Sequence, residues 1–290
     1  MKQITTVMLT IWMGLAAAQA PTFDYQPQKN LKVTYGDAKE IVDGVKSRAV
    51  EFASPTHHTV TGELITGDGG PSSHPAILFV HWLGNPKTTN HTQFEPDAIA
   101  LAKRGVTSLL VDTMWSGGED WFNKMGKSID NDYRDTVDQV IDLRVALDVL
   151  MAQPGIDSSR VALVAHDFGA MFGAYIAGVD PRPQYYVLMA GNSSLSEWYL
   201  FHKQVANRDE YMTRFASLDL LSYLGKSKAK GFLFQFSNHD FYIPMENAQK
   251  FVGAAPEPKK VIYYDTKHDL SLPQVGIDRQ AWLEEKLIGN

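Results

Sequence analysis

The chain is 290 residues long, contains no cysteine and carries a formal charge of −6. Without cysteine there are no disulfides, thiolate metal sites, cysteine nucleophile or lipoprotein anchor. With 44% hydrophobic residues, 21% charged residues and no basic block, it is a globular chain able to bury a large core unaided, and not a nucleic-acid binder.

Taken from the start, Lys2 precedes an almost wholly apolar stretch at 4–17, and Ala18-Gln19-Ala20 forms an A-x-A cleavage pattern. These are the three parts of a secretory signal peptide, so residues 1–20 are expected to be removed and the rest delivered to a periplasm or the medium. No later apolar run is long enough for a membrane span. Residues 21–47 are polar and weakly periodic and read as an N-terminal arm with one short helix.

The domain proper is expected over 48–290. Residues 60–66 alternate like a strand, and 76–80 form an apolar run between Pro75 and His81. A helical stretch at 97–103 leads to a second run, 108–111, ending at Asp112. Over 131–151, Val137, Val140, Ile141, Val145, Leu147 and Leu150 recur at helical spacing, with Pro154-Gly155 as a stop. Strand 161–164, helix 170–179 and strand 186–189 follow. Residues 191–230, rich in Trp, Tyr and Phe, make one long excursion that reads as a small helical cap. Strands at 232–234 and 261–264 and a helix at 279–287 close the chain. Short, wholly apolar strands alternating with amphipathic helices predict an α/β fold, a mostly parallel sheet with helices on both faces. In such sheets the active site lies at the carboxyl ends of the strands.

Polar groups stand at those ends: His81, Asp167 and His268 after apolar runs, and Asp240 in a turn closed by Pro244. In Val161–Ala170 (VALVAHDFGA), the small residues Ala165 and Gly169 flank Asp167 between a strand and a helix, the setting of a nucleophile elbow. Together with VHWLGN, LAKRGVTSLLVD, QFSNHDFYIP and YYDTKHDL, this segment resembles the α/β-hydrolase superfamily over about residues 48–290, and within it the dienelactone-hydrolase-like branch. The resemblance implies an α/β-hydrolase fold in which Asp167 takes the nucleophile place, Asp240 the acid and His268 the base. It also implies an oxyanion hole from the backbone N–H groups of Leu83 and Phe168. The chain departs from that branch in having Asp167 where Ser or Cys is usual, and Trp82 where glycine is usual. The string His166-Asp167-Phe168-Gly169 is similar to the His-Asp-Trp-Gly of haloalkane dehalogenases and epoxide hydrolases.

An aspartate at this place is ionised already and attacks a saturated carbon without a base. The leading expectation is therefore an alkyl ester on Asp167, formed from a small epoxide or organohalide and hydrolysed by water that His268 activates. Substrate-pocket candidates are His81, Trp82, Trp115, Trp198 and Tyr199, with Trp121, Tyr211 and Tyr223 as further sources of a leaving-group donor. One alternative is an ester or lactone hydrolase in which Asp167 is a general base on water, or in which Ser193 or Ser194 reacts. The other is a binding protein on a hydrolase scaffold, with Asp167 as a helix cap. No G-x-G-x-x-G or Walker sequence follows a strand, and His57-His58 reads as a solvated turn, so no cofactor or metal is expected. His202 and His239 have no assigned role, and the partner is a small molecule.

Overall fold

The computed structural model describes residues 22–26, 31–68, 72–116, 118–201, 203, 205 and 207–289. The leader expected at 1–20, and His202, lie outside them.

The strands are β1 (Val33–Tyr35), β2 (Lys39–Val42), β3 (Val45–Ala53), β4 (Thr59–Gly67), β5 (His74–Val80), β6 (Thr107–Val111), β7 (Ile156–His166), β8 (Tyr185–Met189), β9 (Gly231–Ser237) and β10 (Lys259–Tyr264). They form one sheet in the order β1-β3-β4-β6-β5-β7-β8-β9-β10, with β2 paired to β3. From β6 to β10 every pairing is parallel; β1, β2, β3 and β4 add antiparallel strands at one edge. The stretch 33–47, expected as part of an arm with one short helix, is sheet instead. Strand β1 and the start of β3 alternate exposed and covered positions over only three residues each, and β2 does not alternate, so the pattern is too short to stand out from polar coil.

The helices are α1 (Glu95–Ala102), α2 (Glu119–Lys124), α3 (Ile129–Met151), α4 (Phe168–Val179), α5 (Leu195–Tyr199), α6 (Arg208–Phe215), α7 (Leu220–Leu224), α8 (Met245–Ala254) and α9 (Pro273–Leu287). Side chains alternate across a strand, so β5 sends Ile77 and Phe79 to one core and Ala76, Leu78 and Val80 to the other. Helices α1 and α9 cover the first face and join through the buried pair Arg279 Nη2–Asp97 Oδ2 at 2.7 Å. Helices α3, α4 and α8 cover the second. Burial on both faces is why these strands read as unbroken apolar runs.

The excursion between β8 and β9 holds α5, α6 and α7, and it rests on the second helical layer. Helix α7 packs on α4, and two buried tyrosines pin the rest to α3: Tyr199 Oη lies 3.0 Å from Thr136 Oγ1, and Tyr211 Oη donates to Asp132 Oδ2 at 2.9 Å. Among the described residues no helix is long and apolar enough to cross a membrane.

Candidate active site

Strand β7 ends at His166 and the chain turns at Asp167 into α4. Asp167 has φ 55° and ψ −117°, backbone that a residue with a side chain rarely adopts, and its N–H donates to the Met189 carbonyl at 2.7 Å. Gly169 makes the turn possible. A Cβ there would sit 2.6 Å from the carbonyl oxygens of both Val80 and His81, so its absence lets α4 lie against β5. Gly169→Ala is expected to destabilise the fold by about 3 kcal/mol, read as a lower urea midpoint at unchanged slope.

Asp240 follows β9. Its Oδ1 accepts the backbone N–H groups of Tyr242 (2.8 Å) and Ile243 (2.9 Å), which fixes the carboxylate in a turn. Its Oδ2 accepts from His268 Nδ1 at 2.8 Å. The other ring nitrogen, Nε2, lies 3.3 Å from Asp167 Oδ1. The row Asp240–His268–Asp167 therefore forms as the strand-end order predicts. The two oxygens of Asp167 differ. Oδ2 accepts the Leu83 N–H at 3.1 Å, whereas Oδ1 is buried with no hydrogen bond among the described residues.

Burial pushes the His268 imidazole pKa down, but the charge of Asp167 3.3 Å away and the charge and hydrogen bond of Asp240 outweigh it and lift the value to about 10. His268 is thus an imidazolium at neutral pH. The folded protein holds this proton between the unfolded value near 6.5 and about 10, where the unfolded chain releases it. The contribution is whole below pH 6.5 and is lost as pH rises through 10. We expect chemical-denaturation stability to fall by about 3 kcal/mol between pH 6.5 and 10, and His268→Gln to flatten that limb.

A second set of groups fixes the first. His81 is buried. Its Nδ1–H donates to the Trp82 carbonyl at 2.7 Å, and Nε2 lies 2.6 Å from Ser116 Oγ. Burial holds its pKa down, at about 4, so it is a neutral donor. Trp115 Nε1–H donates to the same carbonyl at 3.0 Å. That carbonyl belongs to the peptide whose N–H, on Leu83, reaches Asp167. On the other side, Gln93 Oε1 accepts the Trp82 N–H at 2.8 Å and its Nε2 donates to His166 Nδ1 at 2.6 Å. His166 Nε2–H then donates to the His268 carbonyl at 3.0 Å. The Trp82 indole stacks on His166 with centroids 5.2 Å apart and planes 7° from parallel.

A cavity of about 830 Å³ opens onto Asp167 and His268. Trp82 and Trp198 line it as expected, and the Trp198 indole N–H is buried without a hydrogen bond among the described residues. The other pocket candidates do not. His81 and Trp115 lie behind the Trp82–Leu83 peptide, and Tyr199 points to Thr136, because each buried polar tip needs a partner. Trp121 is also off this cavity. Tyr211 is bonded to Asp132, and Tyr223 packs on Phe23 and Tyr175, so the described cap brings no tyrosine pair to the site. Ser194 caps α5 and neither it nor Ser193 lines the cavity. The Phe168 N–H opens α4, among the first-turn donors a helix leaves without an internal partner. His239 pairs with Asp265 at 2.6 Å on the surface. Sequence reading missed Gln93, for which a lone glutamine gives no signal, and Tyr242, whose only sign is its place two residues after Asp240.

No family model and no curated protein sequence matches the chain. Solved structures do resemble it. An acetyl xylan esterase from Paenibacillus sp. R4 is 18% identical over 90% of each chain, with a TM-score of 0.73. Acetyl xylan esterase 1 from Thermoanaerobacterium sp. JW/SL YS485 is 15% identical over 88% of each, with 0.70. A cold-adapted esterase from an Arctic intertidal metagenomic library is 18% identical over 87% of this chain and 98% of its own, with 0.66. By its parallel strand order, its elbow between strand and helix, and this likeness over nearly its whole length, the chain has the α/β-hydrolase fold.

Proposed function

We propose that the protein is a hydrolase of small uncharged molecules, with carboxylic esters as its substrate class and Asp167, His268 and Asp240 as its chemical groups. The observation that carries the reading is the buried Asp167 Oδ1, without a hydrogen bond among the described residues and 3.3 Å from a protonated imidazole. The esterases among the structures of like fold support the substrate class. Around the cavity, Lys203 and Lys267 are matched by Glu119 and Asp269, a wall that favours neither sign of charge.

In this reading Oδ1 takes a proton from a water molecule as its oxygen bonds to the acyl carbon. The Phe168 N–H receives the oxyanion. The His268 imidazolium gives its proton to the departing alkoxide, and the proton on Asp167 returns to His268. A base is what an ordinary serine triad asks of this histidine; here the two carboxylates make it the acid. Export through the leader at 1–20 is part of the proposal.

A second reading is favoured by the Leu83 N–H on Asp167 Oδ2. If Oδ1 attacks the saturated carbon of an epoxide or organohalide, an alkyl ester forms on Asp167; a halide departs as the anion toward the Trp198 N–H, which has no partner among the described residues, whereas an opened epoxide oxygen stays on the alkyl group and takes the His268 proton. Water then attacks Cγ, and the negative charge develops on Oδ2, where the Leu83 N–H already points. Forming the ester removes the Asp167 charge, lowers the His268 pKa and turns the imidazole from acid to base.

A single turnover in ¹⁸O-water separates the two. General-base hydrolysis of an ester puts the label in the product acid and leaves Asp167 unlabelled. The covalent route puts it in the Asp167 carboxylate and leaves the product unlabelled. Absence of hydrolysis across esters, epoxides and haloalkanes would overturn the hydrolase reading.

A further inference from the structure

We infer that Gln93 is a positioning residue: it fixes which nitrogen of His166 carries a proton, and so leaves His268 as the charged imidazole of a neighbouring pair. The inference deepens the hydrolase reading and rests on it for the effect on turnover, though not for the protonation pattern. Gln93 stands in a single 3₁₀ turn, His91–Phe94, that is held on both sides of it. His91 Nδ1 lies 2.9 Å from Asp112 Oδ1, just after β6, and Phe94 is buried against Phe79 of β5 with ring centroids 5.2 Å apart. The amide thus reaches the site from an anchored backbone.

The direction of each hydrogen bond follows from the two ends of the row. The Trp82 N–H can only donate, and the His268 carbonyl can only accept. Gln93 must then turn Oε1 to Trp82 (2.8 Å) and its NH₂ to His166 Nδ1 (2.6 Å), and His166 must carry its proton on Nε2, 3.0 Å from the His268 oxygen. A second proton, on Nδ1, would face the Gln93 amide hydrogens, and reversing the amide would set those hydrogens against the Trp82 N–H. The groups around His166 bear on the same point. Burial first, then the charges of His268 and of Arg279 on α9, hold its pKa at about 3 against the pull of Asp167 and the His268 carbonyl. The two imidazole rings are 5.7 Å apart. A charged His166 would compete for the Asp167 carboxylate and repel the proton that His268 holds between Asp167 and Asp240.

The test reads the ring nitrogens of ¹⁵N-histidine-labelled protein by NMR, with Gln93→Glu and Gln93→Leu beside the wild type. Wild-type His166 is expected to keep one proton, on Nε2, from about pH 5 to about pH 10, while His268 holds two and loses one as the pH nears 10. A glutamate at 93 still accepts the Trp82 N–H, but it also accepts at His166 and draws a proton onto Nδ1. His268 should then hold its own proton at least about tenfold less tightly, and the alkaline limb of the kcat/KM profile should move down with it. Leucine fills the same space without an acceptor; it is expected to lower kcat about tenfold by loosening the row and to leave the His268 midpoint near 10. A glutamine with a merely structural role would give the same midpoint in all three proteins. That result, or a proton on Nδ1 of wild-type His166, overturns the inference, and the wild-type spectra keep it falsifiable should Gln93→Glu fail to fold. Ester hydrolysis with unmoved titrations would remove this role from Gln93 and leave the proposed function standing. The expected titrations in a protein inert to every substrate would do the reverse.

Discussion

Replacing Asp167 with asparagine is expected to lower kcat by about 10⁴-fold with the fold intact. The amide keeps the shape of the side chain and still offers an oxygen to the Leu83 N–H, but it is neither a base toward water nor a nucleophile toward carbon. The same change removes one of the two charges that hold the proton on His268, so the imidazole pKa should fall from about 10 toward its ordinary value. Titration of the His268 ring by NMR in both proteins measures this directly. An asparagine variant with wild-type turnover would remove Asp167 from the chemistry under either reaction. An unshifted His268 titration would mean that the Asp167 charge is not what holds the proton.

The second large effect is expected of His268→Gln, which should lower turnover by about 10³-fold or more. It leaves the carboxylates of Asp167 and Asp240 with no cation between them, a cost of about 3 kcal/mol. Intact-protein mass after mixing with a panel of esters, epoxides and haloalkanes separates the reactions. An alkyl adduct mapped to Asp167 marks the covalent route, because attack survives the loss of the histidine and hydrolysis does not. No adduct, with ester turnover lost, marks Asp167 as a base on water.

The strands, the elbow and the chain order Asp167, Asp240, His268 were legible because each rests on a local pattern. Apolar runs between breakers mark strands buried on both faces, and small residues two positions either side of Asp167 mark a sharp turn. What was not legible depends on which side chains meet across the fold. The short antiparallel strands within 33–47 are stabilised by pairing with one another and with β4, so their own composition is that of polar coil. Which tryptophan faces the cavity depends on where each indole N–H finds an acceptor. Trp115 finds the Trp82 carbonyl and turns inward; Trp198 finds none among the described residues and lines the cavity. Gln93 lies 73 residues from His166 in sequence, and its role exists only once β5 and β7 are side by side.

The chain of hydrogen bonds from the Trp82 N–H through Gln93 and His166 to the His268 carbonyl also has a mechanical meaning. It ties the loop after β5, the elbow after β7 and the loop after β10 into one body, so the loop of an edge strand is held to those of two central ones. Segments so linked do not breathe separately. Their amide hydrogens should exchange at one common rate, near that of global unfolding, while helices α5 and α6 exchange faster. Substrate entry and product escape then fall to the excursion between β8 and β9, so turnover can be slowed or hastened there without moving a reacting atom.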